Sequence, residues 1–209
     1  MSLVRALVIL TMFVFAGCTG DAPVAPAHQI TIDELPPGKL ADLQQLEQSE
    51  LARIEARRSN GAISLDSLKV LWTELRADWA QRGPLLVCAP LPYDGAARII
   101  GPEGGTIGAG IATLAIPPGA LDRPTVITVE SSGTFELQAE FRPHGLQFRV
   151  RPTLTMDYNH CLRPRWTQER IAYLGDQDEV LEWPESRDRS DDGLVDATIG
   201  HFSRYAVAF

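Results

Sequence analysis

Two different spacings of hydrophobic residues divide the chain. From Lys39 to Arg58 the apolar positions recur at helical spacing. Leu40, Leu43, Leu46, Leu51 and Ile54 fall within an arc of about 140° at 100° per residue. Asn60-Gly61 stops this helix. Ser64 can cap a second one, with Asp66 in its first turn, where the helix dipole favours an anion. Leu65, Leu68, Leu71, Trp72, Leu75 and Trp79 then share an arc of about 120°, and Gly83-Pro84 ends the run. Two amphipathic helices joined by a short link predict an antiparallel hairpin over residues 38–83. Its apolar faces are expected to pack on each other and on a sheet. The alternative is a partner-binding face with Trp72 and Trp79 as anchors.

From Leu85 onward the spacing changes to two. Ile127 and Val129 alternate with Thr128 and Glu130, and Leu146, Phe148 and Val150 with Gln147, Arg149 and Arg151. Leu154, Met156 and Tyr158 alternate with Thr155 and Asp157, and Tyr205, Val207 and Phe209 close the chain in the same rhythm. Each run reads as a strand with one apolar face and one wet face. Gly101-Pro102, Gly104-Gly105, Pro117-Pro118-Gly119, Pro143-His144-Gly145 and Asp191-Asp192-Gly193 supply turns between them. Several short strands punctuated in this way predict an antiparallel β-sandwich over residues 85–209. The fold class is therefore α+β, a helical hairpin followed by a sandwich.

The amino terminus carries a different signal. Met1 to Arg5 is short and positive, Ala6 to Gly17 is apolar except for Thr11, and the run ends in Phe15-Ala16-Gly17-Cys18. That is the pattern of a signal peptide over residues 1–17, and it is too short to span a bilayer. Small residues directly before a cysteine resemble the lipobox of bacterial lipoproteins, although Phe15 stands where Leu is usual. The resemblance implies that Cys18 is the lipid attachment site after cleavage, so the chain is expected outside the cytoplasm and anchored to a membrane. Thr19 rather than Asp after the cysteine favours the outer membrane, by analogy with enteric sorting rules. An ordinary signal peptide cut elsewhere is the alternative. Residues 18–37 contain Pro23, Pro26, Pro36 and Pro37 without a regular period and read as an extended tether.

Of the three cysteines, Cys88 and Cys161 remain once Cys18 is lipidated. In an oxidising compartment they are expected to pair, the alternative being two buried thiols.

The runs Ile100-Gly101-Pro102-Glu103-Gly104-Gly105-Thr106-Ile107, Leu114-Ala115-Ile116-Pro117-Pro118-Gly119-Ala120-Leu121 and Thr125-Val126-Ile127-Thr128-Val129, with the closing His201-Phe202-Ser203-Arg204-Tyr205, are similar to one family. They resemble the ZU-five domain of zonula-occludens proteins, netrin receptors, ankyrins and some bacterial envelope proteins, over residues 97–209. The resemblance implies a β-sandwich module for protein contacts. The chain lacks the companion domains of the animal proteins, so no animal partner follows. Some members cut themselves between the Phe and Ser of the closing tripeptide. The matching roles here would be attack by Ser203 on the Phe202 carbonyl with His201 as base. Many relatives keep the tripeptide uncut within the last strand.

The net charge of −8 argues against nucleic acid. Asp188-x-Ser190-x-Asp192-Gly193 begins like a calcium loop but has Ile199 where the closing acid belongs, so a solvated turn is expected. His160-Cys161 offers metal ligands without a second pair at suitable spacing. There is no Gly-x-Ser-x-Gly, phosphate loop or zincin helix. The expectation is a non-enzymatic interaction or structural module with no cofactor or metal. Its partner would be an envelope protein or a glycan; Trp166 and Trp183 could stack on sugars if they are not in the core.

Overall fold

Alternating apolar residues build most of the molecule, because a strand with one apolar face must bury that face against another layer. The computed structural model describes residues 29–60, 84–89, 91–132, 135–163 and 167–209. Among them run one α-helix and thirteen strands. The helix, α1, spans Pro37–Asn60. The strands are β1 (Val87–Cys88), β2 (Asp94–Ile100), β3 (Gly105–Ala109), β4 (Ala112–Ile116), β5 (Thr125–Ser131), β6 (Gln138–Arg142) and β7 (Thr153–Asp157). They continue as β8 (Cys161–Leu162), β9 (Arg170–Leu174), β10 (Val180–Glu182), β11 (Ser186–Arg189), β12 (Leu194–Thr198) and β13 (Arg204–Ala208).

These form three antiparallel sheets: six strands ordered β10-β9-β13-β6-β5-β2, five ordered β11-β12-β7-β4-β3, and the pair β1-β8. The two larger sheets contribute to one core. Ile127, Val129, Phe141, Ile171, Tyr205 and Val207 come from the first, and Ile107, Leu114, Leu154, Met156 and Val195 from the second. Each large side chain so buried stabilises the fold by roughly 1.5–3 kcal/mol. Turn glycines fall where the sequence places them. Gly104 has φ +78° and would bring a β-carbon within 2.5 Å of the Ile116 carbonyl oxygen, so the reversal into β3 requires glycine.

Some expectations change in the structure, and others fall outside the described residues. The predicted strand through Leu146, Phe148 and Val150 is irregular, touching a ladder only at the Gln147–His201 bridge. Leu146 and Phe148 pack against the core while Val150 is exposed, and Arg149 N–H donates to the Ala120 carbonyl rather than to a neighbouring strand. The polar face of β5 is not wet, since Thr128 and Glu130 are buried. The partner of the hairpin, residues 64–82 with Trp72 and Trp79, lies outside the described residues, as do the signal peptide with Cys18, the tether up to His28, and Trp166. The end of the tether is partly folded. Ile32–Glu34 make a turn of 3-10 helix, and Thr31 N–H donates to Glu34 Oε2 at 3.0 Å. Among the described residues no helix is long and apolar enough to cross a membrane.

Candidate functional site

The helix α1 docks on the outer side of β2 and β5 and forms a groove there. Its sheet-facing line runs through the half-buried Leu43, Glu47 and Glu50 to the buried Ile54, rotated away from Leu46 and Leu51, which stay exposed. Ile54 packs on Gly95 of β2, and Glu47 Oε1 accepts the Ile99 N–H at 2.9 Å. The polar side of this line is anchored on Glu130 of β5, whose side chain is only 4% exposed. Arg53 donates to both Glu130 oxygens, Arg57 Nη1 donates to Oε2 at 2.7 Å, and the Tyr93 hydroxyl donates to Oε2. Glu50 Oε2 accepts from Arg53 Nε at 2.9 Å and holds that guanidinium in place. Burial alone would raise the Glu130 pKa, but the Arg53 and Tyr93 hydrogen bonds and the Arg53 and Arg57 charges outweigh it and hold it at about 2. Burial and the Glu130 carboxylate together push Tyr93 up to about 12. The alternation of β5 puts Glu130 on its wet face, and the helical pattern gives Glu50, Arg53 and Arg57 no role. The available signal is Glu50, Arg53 and Arg57 on the same side of the helix as Ile54, together with an acid in an otherwise β-branched strand.

Beside this anchor lies a groove of about 850 Å³ between α1 and the outer face of β5 and β6. Ile30, Leu35, Leu43, Leu46, Val126 and Pro143 make it apolar. Two of its lining residues, Thr128 and Arg142, each carry a buried polar atom without a hydrogen-bond partner, Oγ1 and Nε. Both residues are register partners across β5 and β6, and the nearest acid to Arg142 Nε is Glu130 Oε1 at 4.0 Å. Lys39, Arg123 and Arg142 line the groove together with Asp42 and Glu50; Lys39 lies 4.0 Å from Asp42 and Arg142 pairs with Glu140 at 2.7 Å, while Arg123 has no ion pair among the described residues. Orphaned buried polar atoms are uncommon and call for an explanation.

The closing tripeptide His201-Phe202-Ser203 packs between the core and its neighbouring backbone. Phe202 is buried, with Phe148 and Phe141 ring centroids 4.9 and 5.6 Å away. Its carbonyl accepts the Gly145 N–H at 3.0 Å, and the Ser203 carbonyl accepts the Phe141 N–H at 2.9 Å. The His201 ring meets Tyr173 edge-on at 4.8 Å, and no hydrogen bond joins it to the Ser203 hydroxyl among the described residues. The last strand begins after the tripeptide, at Arg204.

Cys88 and Cys161 face each other directly across β1 and β8 and form a disulfide. His160 stands next to them, its ligand atom and both sulfurs lying within 4.8 Å of one another. The acidic turn is occupied by protein groups. Asp188 accepts from the Tyr158 hydroxyl and the Glu169 N–H, and Arg189 pairs with Asp192 and Asp196. Trp183 is not in the core but 38% exposed, with the Arg170 guanidinium 4.8 Å over its ring.

No family model matches the chain, and no curated protein matches it in sequence.

Proposed function

We propose that the chain is a non-catalytic interaction module of the bacterial cell envelope, a β-sandwich of ZU-five type held to a membrane by lipid on Cys18, with the α1 groove as its contact surface. The groove's two orphaned polar atoms carry this reading. Its occupant is an extended apolar segment of an envelope protein that bears a carboxylate. A peptide offers both a carbonyl to the Arg142 Nε–H and a backbone group to the Thr128 hydroxyl, whereas an acyl chain leaves both unsatisfied. Arg123, which has no ion pair among the described residues, complements the carboxylate. The motifs quoted from residues 100–129 and 201–205 support the ZU-five assignment, and the Cys88–Cys161 bridge suits an oxidising compartment.

Fluorescence anisotropy with short labelled Val/Leu-rich peptides tests the groove. A free carboxylate should bind about tenfold tighter than the matching amide, a difference of about 1.4 kcal/mol, and Leu46→Asp should abolish binding. Binding indifferent to Leu46→Asp overturns the site, as does its absence. Displacement of the peptide by a long-chain fatty acid gives the groove to lipid instead. The anchor has its own test. A metabolic fatty-acid probe should mark the wild-type protein and leave Cys18→Ser unmarked; an unmarked wild type removes it.

A further inference from the structure

Three ligand atoms that sequence spacing alone does not bring together meet at one corner of the fold. Cys88 is buried on β1, Cys161 lies opposite it on β8, and His160 immediately precedes that strand. The turn that presents His160 is fixed by its own hydrogen bonds. Cys161 N–H donates to the Tyr158 carbonyl at 3.0 Å, and Asn159 N–H donates to Asp157 Oδ1 at 2.9 Å. Ala89 N–H donates to the His160 carbonyl at 3.0 Å, which ties the turn to the β1 side. The two sulfurs and the imidazole nitrogen lie within 4.8 Å of one another. Around a tetrahedral zinc with Zn–S of about 2.3 Å and Zn–N of about 2.0 Å, ligand atoms stand about 3.5–3.8 Å apart. Opening the disulfide removes the bond that holds the two sulfurs closer together than that spacing.

We propose that Cys88, Cys161 and His160 form a zinc site that exists only in the reduced protein. A dithiol reductant transfers two electrons to the disulfide, becoming a cyclic disulfide itself and leaving two protein thiols. Zn²⁺ then binds the two sulfurs as thiolates, with release of two protons, and takes the His160 imidazole as third ligand. No fourth His, Cys, Asp or Glu joins the group among the described residues, so the fourth position is open to water or an outside ligand. The same pair thus carries either a covalent bridge or a metal, never both.

The test uses the full-length chain with Cys18→Ser, which leaves Cys88 and Cys161 as its only thiols. The chain is reduced with a phosphine, freed of reductant without air, and titrated with Zn²⁺ against a chromogenic chelator. The reduced chain should bind one zinc and gain protection of both thiols from alkylation, while the oxidised chain binds none. Cys88→Ser should weaken binding at least a hundredfold and His160→Ala at least tenfold. Far-UV circular dichroism follows the fold throughout. Four results overturn the site: no zinc uptake by a reduced chain that keeps its sheet signal, undiminished uptake by Cys88→Ser/Cys161→Ser, full affinity in His160→Ala, or loss of sheet signal on reduction that zinc does not restore.

Discussion

Gly95 on β2 and Ile54 on α1 touch so closely that a β-carbon on Gly95 would lie 2.8 Å from Ile54 Cγ2 and 3.3 Å from the Val129 carbonyl oxygen. The helix therefore sits at a distance from the sheet that only glycine permits. A branched side chain at this position must push α1 outward and stretch the Arg53 and Arg57 contacts with Glu130. Gly95→Val should lower stability by about 1–3 kcal/mol and expose α1 to limited proteolysis. An unchanged urea midpoint and an uncut helix would mean that α1 is not seated as described.

The anchoring acid gives the docking a pH dependence of known sign. Glu130 is held at about 2 in the folded chain against an ordinary 4.5. Its contribution is complete above the unfolded value and is lost as pH falls from about 4.5 towards 2. It amounts to about 3 kcal/mol at most. Glu130→Gln should lower stability at pH 7, and the gap from wild type should close between pH 4.5 and 2. A gap that stays constant across that window would show that the charge is not what stabilises.

A second buried acid runs the opposite way. Burial first, and the Asp188 carboxyl beside it second, raise the pKa of Glu169, which is 2% exposed. A carboxyl whose folded value is raised holds its proton longer than the unfolded chain does, so its contribution falls as pH climbs past about 4.5. Glu169→Gln should therefore stabilise the protein at neutral pH while making little difference at pH 4. Equal effects at both values in urea titrations would refute this.

The Cys88–Cys161 bridge joins positions 73 residues apart. In the chain-entropy account a loop of that length stabilises the fold by about 4 kcal/mol. Cys88→Ala/Cys161→Ala should lose about that much in chemical unfolding, and the denatured wild type should label at neither position until reduced. Labelling of both without reductant would contradict the bridge.

What could be read in the sequence is what depends on near neighbours along the chain. Gly104, Gly119, Gly145 and Gly193 all adopt positive φ in turns marked by their Gly and Pro context, and β7 and β13 follow their own alternation. The cysteine pairing followed from the count of cysteines and an expected oxidising compartment. The groove and its anchor needed knowledge of which distant element covers which. Thr128 and Glu130 look like a solvent face until α1 is laid over them, and Leu46 and Leu51 look like a packing face until Glu47 and Glu50 are seen to take that place. The run from Leu146 to Arg151 has the alternation of a strand but pairs only at the Gln147–His201 bridge, and alternation cannot report that.

The hydrogen bond from Ile99 N–H to Glu47 has a wider consequence, because β2 is the last strand of its sheet. An uncovered outer strand is a template on which another copy can add its own strand, the first step towards insoluble assemblies. By laying a carboxylate and a helix along that border, α1 keeps the strands of neighbouring molecules from adding to it, so anything that peels the helix away opens a template for assembly.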